Sequence, residues 1–259
     1  MSALIMGLLS GKPQMGVWLN LGSAVSAEIA ALAGYDWLLI DLEHGSGDYR
    51  DLSPQLWATQ AGEASAVVRV TALSAPDIKR VLDLGPHGVM IPNVETVEQA
   101  VAAVQAVRIP PLGSRGAATS TRASRYGEGY ESYIREANDS VLLAVQIESV
   151  SGLANAAKIA AVDGIDVLFV GPLDLSISMG IQEPQRDERF REALLSVIQA
   201  ANQSRKAAGI LARNEAEVEL YLSMGFRLVA AGSDRGMLAS AMRKGAGALK
   251  TLASRTVEA

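Results

Sequence analysis

The sequence contains no cysteine and no segment that would divide the chain. Without cysteine, a disulfide framework and thiolate chemistry are excluded, although the cellular compartment is left open. No linker rich in Pro, Gly or Ser, no block of like charge and no low-complexity run interrupts the 259 residues. This length suits one large α/β barrel or two small domains, and the missing linker favours a single domain over residues 1–259.

The chain also lacks a large excess of charge of either sign and has no long apolar run. The formal net charge is −5, with charged residues scattered along the chain, which argues against nucleic acid or an anionic membrane as a partner. The first twelve residues include a short apolar run without a basic region or a small-residue cleavage site. This run does not have the pattern of a signal peptide and is too short to span a bilayer, so the expected location is the cytoplasm.

Strand and helix patterns alternate along the chain every 25–35 residues or so, which is the spacing expected of βα repeats. The predicted strands cover residues 15–19, 37–41, 66–70, 88–91, 142–146, 167–170, 210–211 and 228–230. Among the helices, a long one is predicted over 187–208 and a last one over 237–252. Eight βα units predict a (β/α)8 TIM barrel of the α/β class.

One segment breaks this alternation. Residues 109–126 are too long for an ordinary connection and carry three arginines. Loops of this length in compact domains are usually functional or disordered. We expect the segment to lie near the barrel mouth or to reach a neighbouring subunit.

Polar residues follow the predicted strands at the ends where barrel active sites are built. They are Asp41, Glu43, His44, Arg69, Gln146, Glu148 and Asp174. Glu148 and Asp174 follow two strands of the same parallel sheet and should meet beyond its carboxyl edge. Two neighbouring carboxylates repel each other, which favours a divalent cation between them.

Each of these residues also has a structural interpretation. Arg69 stands in a strand otherwise fit for burial, which costs several kcal/mol unless an anion meets it. His44 follows Asp41 and Glu43, where a carboxylate can orient the imidazole, but alone it would be read as a solvated turn residue. The other histidine, His87, precedes the fourth strand, on the stability face of a barrel, and is interpreted as structural.

No lysine follows a predicted strand, where an imine-forming lysine would be needed. The six lysines are Lys12, Lys79, Lys158, Lys206, Lys244 and Lys250. Schiff-base chemistry is therefore not expected, and no nucleotide cofactor is predicted.

Several stretches, taken together and in order, resemble the HpcH/HpaI family of class II, metal-dependent pyruvate aldolases. They are WLLIDLEHG (37–45), VVRV (67–70), GVMIPNVET (88–96), PPLGSRG with RASRYG (110–127), AVQIES (144–149) and VDGIDVLFVGPLDLS (162–176). The resemblance implies a (β/α)8 barrel in a homo-oligomer, commonly a hexamer with exchanged terminal helices.

The resemblance also implies roles for individual residues. The metal ligands would be Glu148 and Asp174. A dyad of His44 and Asp41 would act through water, and Arg69 would face the ketone oxygen of the donor. The predicted donor-binding residues are Arg69, Gln146, Gly171, Pro172, Leu173 and, from a neighbouring subunit, Arg122.

The chain departs from the family pattern at two places. The family usually has alanine where this chain has Leu173, and the stretch IQEPQRDERF (181–190) lacks the usual segment with glycine and histidine. Both departures bear on the preference for the acceptor rather than on the type of reaction.

The predicted function is reversible cleavage of 4-hydroxy-2-oxo acids to pyruvate or hydroxypyruvate plus an aldehyde. Oxygen ligands suit Mg²⁺ or Mn²⁺, with Co²⁺ as a further candidate. The first alternative is a lyase of the citrate lyase β or malyl-CoA type, although no Lys/Arg cluster offers a groove for CoA phosphates. The second is a non-catalytic barrel that binds a 2-oxo acid or an assembly partner.

Overall fold

Eight parallel strands close into a barrel in which every strand pairs with its neighbours in sequence, and the last pairs with the first. The computed structural model describes residues 2–257, with side chains up to Ser254. The strands are β1 Gln14–Leu19, β2 Trp37–Asp41, β3 Ser65–Arg69, β4 Gly88–Ile91, β5 Leu142–Ile147, β6 Val167–Val170, β7 Ala207–Ala212 and β8 Leu228–Ser233. The predicted TIM barrel is confirmed.

Apart from the first helix, which precedes β1, the helices follow the strands and lie on the outside of the barrel. They are α1 Ala3–Leu9, α2 Ala24–Leu32, α3 Tyr49–Ala58, α4 Ala75–Asp83, α5 Val97–Val107, α6 Tyr130–Ser140, α7 Val150–Ala160, α8 Pro172–Ser178, α9 Glu188–Gln203, α10 Glu215–Met224 and α11 Asp234–Val257. None of the helices between residues 2 and 257 is long and apolar enough to cross a membrane.

Alternate residues of each strand point into the barrel or toward the helices, as the pleat requires. The interior is filled by large side chains, with the rings of Trp18, Trp37 and Phe169 in mutual contact at centroid distances of 5.5–6.2 Å. Leu4 and Ile5 of α1 join this inner cluster. The interior below the mouth is therefore a packed core, which leaves the carboxyl ends of the strands as the place for a cavity.

Two predicted helices differ from the structure at their ends. The helix predicted over 187–208 ends at Gln203, because Arg205 adopts a left-handed conformation with φ +57° and β7 begins two residues later. The last helix is longer than predicted and begins directly after β8, at Asp234. Nearly all of its described side chains are exposed.

Candidate active site

The carboxyl ends of the strands surround a cavity of about 750 Å³. The predicted site residues that line it are Asp41, His44, Arg69, Gln146, Gly171, Pro172, Leu173 and Asp174. Glu148 lies beside this wall, where it accepts a hydrogen bond from Gln146. The structure thus brings together all the predicted site residues except Arg122.

Arg69, the last residue of β3, is held by carboxylates on the neighbouring strand. The strand register sets Arg69 opposite Asp41, and its Nε and Nη2 donate to the two Asp41 carboxylate oxygens at 2.9 and 2.8 Å. Nη1 lies 2.8 Å from Glu43 Oε2. Burial alone would lower the pKa of Arg69, but the hydrogen bonds and charge of Asp41 raise it. The guanidinium, with its side chain 8% exposed, is a fixed cation at the cavity wall.

The buried Asp41 also organises the turn that carries His44. Its carboxylate accepts the side-chain amide of Asn20 at 2.7 Å and the backbone N–H groups of Glu43 and His44 at 3.0 and 3.3 Å. His44 is therefore linked to Asp41 through its backbone, while its side chain lines the cavity. Within residues 2–257 the imidazole makes no hydrogen bond, so the dyad predicted to act through water stays a prediction.

Glu148 sits where a carboxylate is hard to ionise. Its Oε1 accepts the Asn93 N–H at 2.7 Å and its Oε2 accepts the Gln146 amide at 3.0 Å. Burial raises the pKa of Glu148 to about 7, with the charges of Glu43 and Asp174 adding to the rise. The charge of Arg69 lowers this pKa only in part, and the oxygens of Glu148 and Asp174 are the hard donors that Mg²⁺ and Mn²⁺ bind. This donor set fits a divalent cation.

The segment after β6 brings the backbone close to Glu148. A Cβ atom on Gly171 would lie 2.4 Å from Glu148 Oε2, so only glycine fits there without displacing the carboxylate. Pro172 begins α8, and the side chain of Leu173 is 68% exposed at the mouth. Leu173 therefore offers an apolar surface to whatever enters the cavity.

Arg122 lies at the opposite end of its own barrel. Its guanidinium donates to the carbonyls of Leu84 and Leu56, at the ends of α4 and α3. The expectation that residues 109–126 lie near the mouth is wrong, because the segment follows α5, and barrel helices run back toward the amino ends of the strands. The alternative, contact with a neighbouring subunit, stays a prediction.

The same amino-terminal face contains His87, as predicted. Its Nδ1 accepts the Ala66 N–H at 3.0 Å. Burial lowers the pKa of His87, and the nearby charge of Arg122 lowers it further. The residue is a neutral structural acceptor.

The cavity also contains residues that the sequence patterns did not single out. They are Trp18, Asn20, Phe169, Ser176, Ile177, Gly180, Ile181, Gln182, Pro184, Gln185, Leu211, Arg213, Glu217 and Tyr221. Asn20 and Arg213 directly follow β1 and β7, so the rule that found the other polar residues would have found them too. The predicted seventh strand was too short at its amino end but ended only one residue before the observed β7, so Arg213 could have been found from it.

A closed parallel barrel whose carboxyl rim gathers carboxylates around a buried arginine has an acidic cavity at the place where barrel enzymes have their active sites. A family model described as HpcH/HpaI aldolase/citrate lyase matches residues 14–241. The chain belongs to this family.

Named relatives and solved structures agree with the family assignment. The hydroxypyruvate/pyruvate aldolase of Deinococcus radiodurans is 42% identical, over 94% of this chain and 88% of that protein. The 5-keto-4-deoxy-D-glucarate aldolase of Klebsiella pneumoniae is 39% identical, over 94% of both chains. The crystal structure of an HpcH/HpaI aldolase/citrate lyase family protein from Burkholderia cenocepacia superposes with a TM-score of 0.91 at 38% identity, covering 96% of this chain and 100% of that chain.

Proposed function

We propose that this protein is a metal-dependent aldolase that reversibly cleaves 4-hydroxy-2-oxo acids to pyruvate or hydroxypyruvate plus an aldehyde. The observation that carries the proposal is the carboxylate pair of Glu148 and Asp174 beside the fixed guanidinium of Arg69. The relatives named as aldolases support the reaction type.

The metal would be held by Glu148 and Asp174, with Mg²⁺ or Mn²⁺ favoured and Co²⁺ as a further candidate. A divalent cation supplies Lewis-acid stabilisation of the enolate charge when it is bound there. The Gln146 amide fixes one oxygen of Glu148, which keeps the carboxylate in one orientation.

The side chains of the chain itself bind and orient the donor. Arg69 is held by Asp41 and Glu43, so its charge is available to the ketone oxygen with little reorganisation. Gln146 would lie beside the donor, and Gly171, Pro172 and Leu173 would line its carboxylate end.

His44 is the proposed acid–base group. In cleavage its imidazole accepts the proton of the C4 hydroxyl through a water molecule, and in synthesis it returns that proton to the aldehyde-derived oxygen. Asp41 holds the turn on which His44 stands.

We also propose that the protein acts as a single-domain barrel in a homo-oligomer, with a hexamer as the specific expectation. The projecting helix α11 exposes Met237, Leu238 and Met242, and α2 exposes Val25 and Ile29. Exposed apolar surface of this kind marks contact sites. Because Arg122 lies away from its own cavity, it could reach a donor only in a neighbouring copy.

The test is pyruvate release from a 4-hydroxy-2-oxo acid by protein treated with EDTA and then supplied with Mg²⁺, Mn²⁺ or Co²⁺. Glu148→Gln and Asp174→Asn should remove metal-dependent cleavage and keep the fold, measured by circular dichroism, while Glu98→Gln, an exposed change on α5, should keep both. Full activity of either ligand variant after EDTA would overturn the metal assignment.

Turnover of an acyl-CoA without pyruvate release would favour the lyase alternative, and metal binding with no turnover would favour the non-catalytic barrel.

A further inference from the structure

One residue beside the candidate metal site has a backbone conformation that few residue types adopt without steric cost. Asn93, the second residue after β4, has φ +52°, in the left-handed region that glycine enters freely and that asparagine tolerates better than most. The other described non-glycine residues with positive φ are Arg125, Tyr126 and Arg205, which lie in connections that lead from a helix toward the next strand. Among the described residues, Asn93 is therefore the one non-glycine position of this kind at the carboxyl ends of the strands.

The left-handed conformation turns two successive N–H groups toward the neighbouring strand. The Asn93 N–H donates to Glu148 Oε1 at 2.7 Å, and the Val94 N–H donates to the Gln146 carbonyl at 3.1 Å. Successive N–H groups converge in this way where a left-handed residue follows ordinary backbone. The Asn93 side chain is exposed and makes no hydrogen bond within the described part of the chain, so the backbone of this residue, and not its side chain, holds Glu148.

The loop after β4 is fixed on both sides of Asn93. The strand before it pairs with β5, and Val94 after it is buried. Glu95 is tied to the start of α7, because its carboxylate accepts the Ser149 hydroxyl and its carbonyl accepts the Asn155 amide at 2.8 Å. A sparsely populated conformation persists only where the surrounding structure determines it, and such residues cluster at functional sites.

The Glu148 carboxylate receives one protein donor on each oxygen. The Asn93 N–H occupies Oε1, and the Gln146 amide donates to Oε2 at 3.0 Å. An ionised carboxylate has about four acceptor positions, so both oxygens keep capacity for a cation. Groups that hold a metal ligand in this way fix its orientation and change the affinity for the metal.

We propose that Asn93 is a positioning residue of the metal site, because its left-handed backbone presents the N–H that holds Glu148 in the orientation needed for a divalent cation. This assignment rests on the proposed aldolase function and adds a residue to its metal site. Asn93 acts on the cation through Glu148.

Substitutions at residue 93 test the backbone conformation rather than the side chain. Glycine adopts φ +52° freely and keeps the N–H, so Asn93→Gly should bind Mn²⁺ within about twofold of wild type. Valine is branched at Cβ and strongly disfavoured at this φ, so Asn93→Val should weaken Mn²⁺ binding at least about tenfold, the usual cost of losing a partner of a metal ligand. Asn93→Ala should lie between these two. Isothermal titration calorimetry of the metal-free protein, with no substrate present, measures the affinities.

Arg205 provides the matched control. It has φ +57° and is exposed just before β7, at the opposite end of the barrel. Arg205→Val therefore carries a similar backbone cost without affecting Glu148. It should lower the free energy of unfolding in urea about as much as Asn93→Val does, and it should leave the affinity for Mn²⁺ unchanged. If Asn93→Val does not fold, as judged by circular dichroism, the comparison of Asn93→Ala with Asn93→Gly decides.

The outcomes separate this assignment from the proposed function. Mn²⁺ affinities of Asn93→Val and Asn93→Ala equal to that of Asn93→Gly would overturn the positioning role, and so would an equal loss of affinity in Arg205→Val. Exchange of the methyl protons of pyruvate by wild type tests the proposed function separately, because the binding measurements need no substrate. A wild-type protein that binds no Mn²⁺ and exchanges no protons with any divalent metal would overturn both.

Discussion

Arg69 shows how one buried cation serves both the fold and the proposed site. Its forked contact with Asp41 and its ion pair with Glu43 use geometry that only a guanidinium has. Sequence reasoning identified the residue from the cost of burying it, but the register that sets it opposite Asp41 is a property of the closed sheet.

Arg69→Lys keeps the positive charge but loses the paired hydrogen bonds from Nε and Nη2 to Asp41. We expect kcat/KM for aldol cleavage to fall at least about tenfold, roughly 1.4 kcal/mol of transition-state stabilisation, because the two cations are not interchangeable at a bidentate site. Steady-state pyruvate release measures this. A variant within about twofold of wild type would mean that Arg69 does not contact the donor.

We expect His87 to make the free energy of unfolding depend on pH. Burial lowers its pKa below the ordinary 6.5, so below that pH the unfolded chain takes up the proton more readily. The contribution of neutral His87 to the free energy of unfolding is therefore fully present above about pH 6.5 and is lost as the pH falls. His87→Asn keeps an acceptor for the Ala66 N–H and should flatten this loss between pH 7.5 and 5, measured as the free energy of unfolding in urea. Equal pH slopes for variant and wild type would contradict the assignment.

At the scale of elements, the first turn of α11 contacts the loops that follow β1 and β2. Asp234, its first residue, accepts the Asn20 N–H at 2.7 Å and the Ser26 hydroxyl at 2.7 Å. The following Arg235 donates to the Asn20 carbonyl at 2.6 Å and to Ser46 Oγ at 2.9 Å. The first turn of a projecting helix thus holds the loops that carry Asn20 and His44.

Asp234→Ala should loosen these loops. We expect a loss of about 1–3 kcal/mol in the free energy of unfolding, since backbone donors lose a charged acceptor. Faster hydrogen exchange at residues 20–22 and a lower kcat should accompany it, whereas Asp139→Ala, on the exposed side of α6, should show neither. Unchanged exchange at 20–22 would exclude the role given to Asp234.

The elements also show why prediction succeeded in some places and failed in others. Nearly continuous apolar runs such as Trp37–Asp41 and Val167–Val170 predict buried strands of a parallel barrel, and both are strands in the structure. Glu148 and Asp174 could be brought together from strand direction alone. Arg213 was not singled out although it follows β7 directly. The alternative that placed residues 109–126 near the mouth failed because their position depends on the direction of α5, whereas a role for Arg122 in a neighbouring subunit stays a prediction.

At the scale of the whole molecule, α11 leaves apolar side chains exposed to solvent in one chain, with Met242 at 65% and Met237 at 48%. Met237→Glu with Met242→Glu should reduce the mass measured by light scattering toward the 27.2 kDa of one chain, because charge would be buried on assembly. Val101→Glu, at an exposed apolar position on α5, should leave the mass unchanged. A wild-type protein that is itself monomeric would contradict the proposed assembly.

The most direct test of the central claim is exchange of the methyl protons of pyruvate with D₂O, followed by NMR with no aldehyde present. Enolate chemistry at Glu148 and Asp174 predicts exchange that requires a divalent metal, stops with EDTA and is lost in Glu148→Gln. His44→Ala should still exchange these protons while its aldol cleavage falls by about 10²–10⁴. Exchange that survives EDTA, with a borohydride-trapped pyruvate adduct on a lysine, would contradict the account.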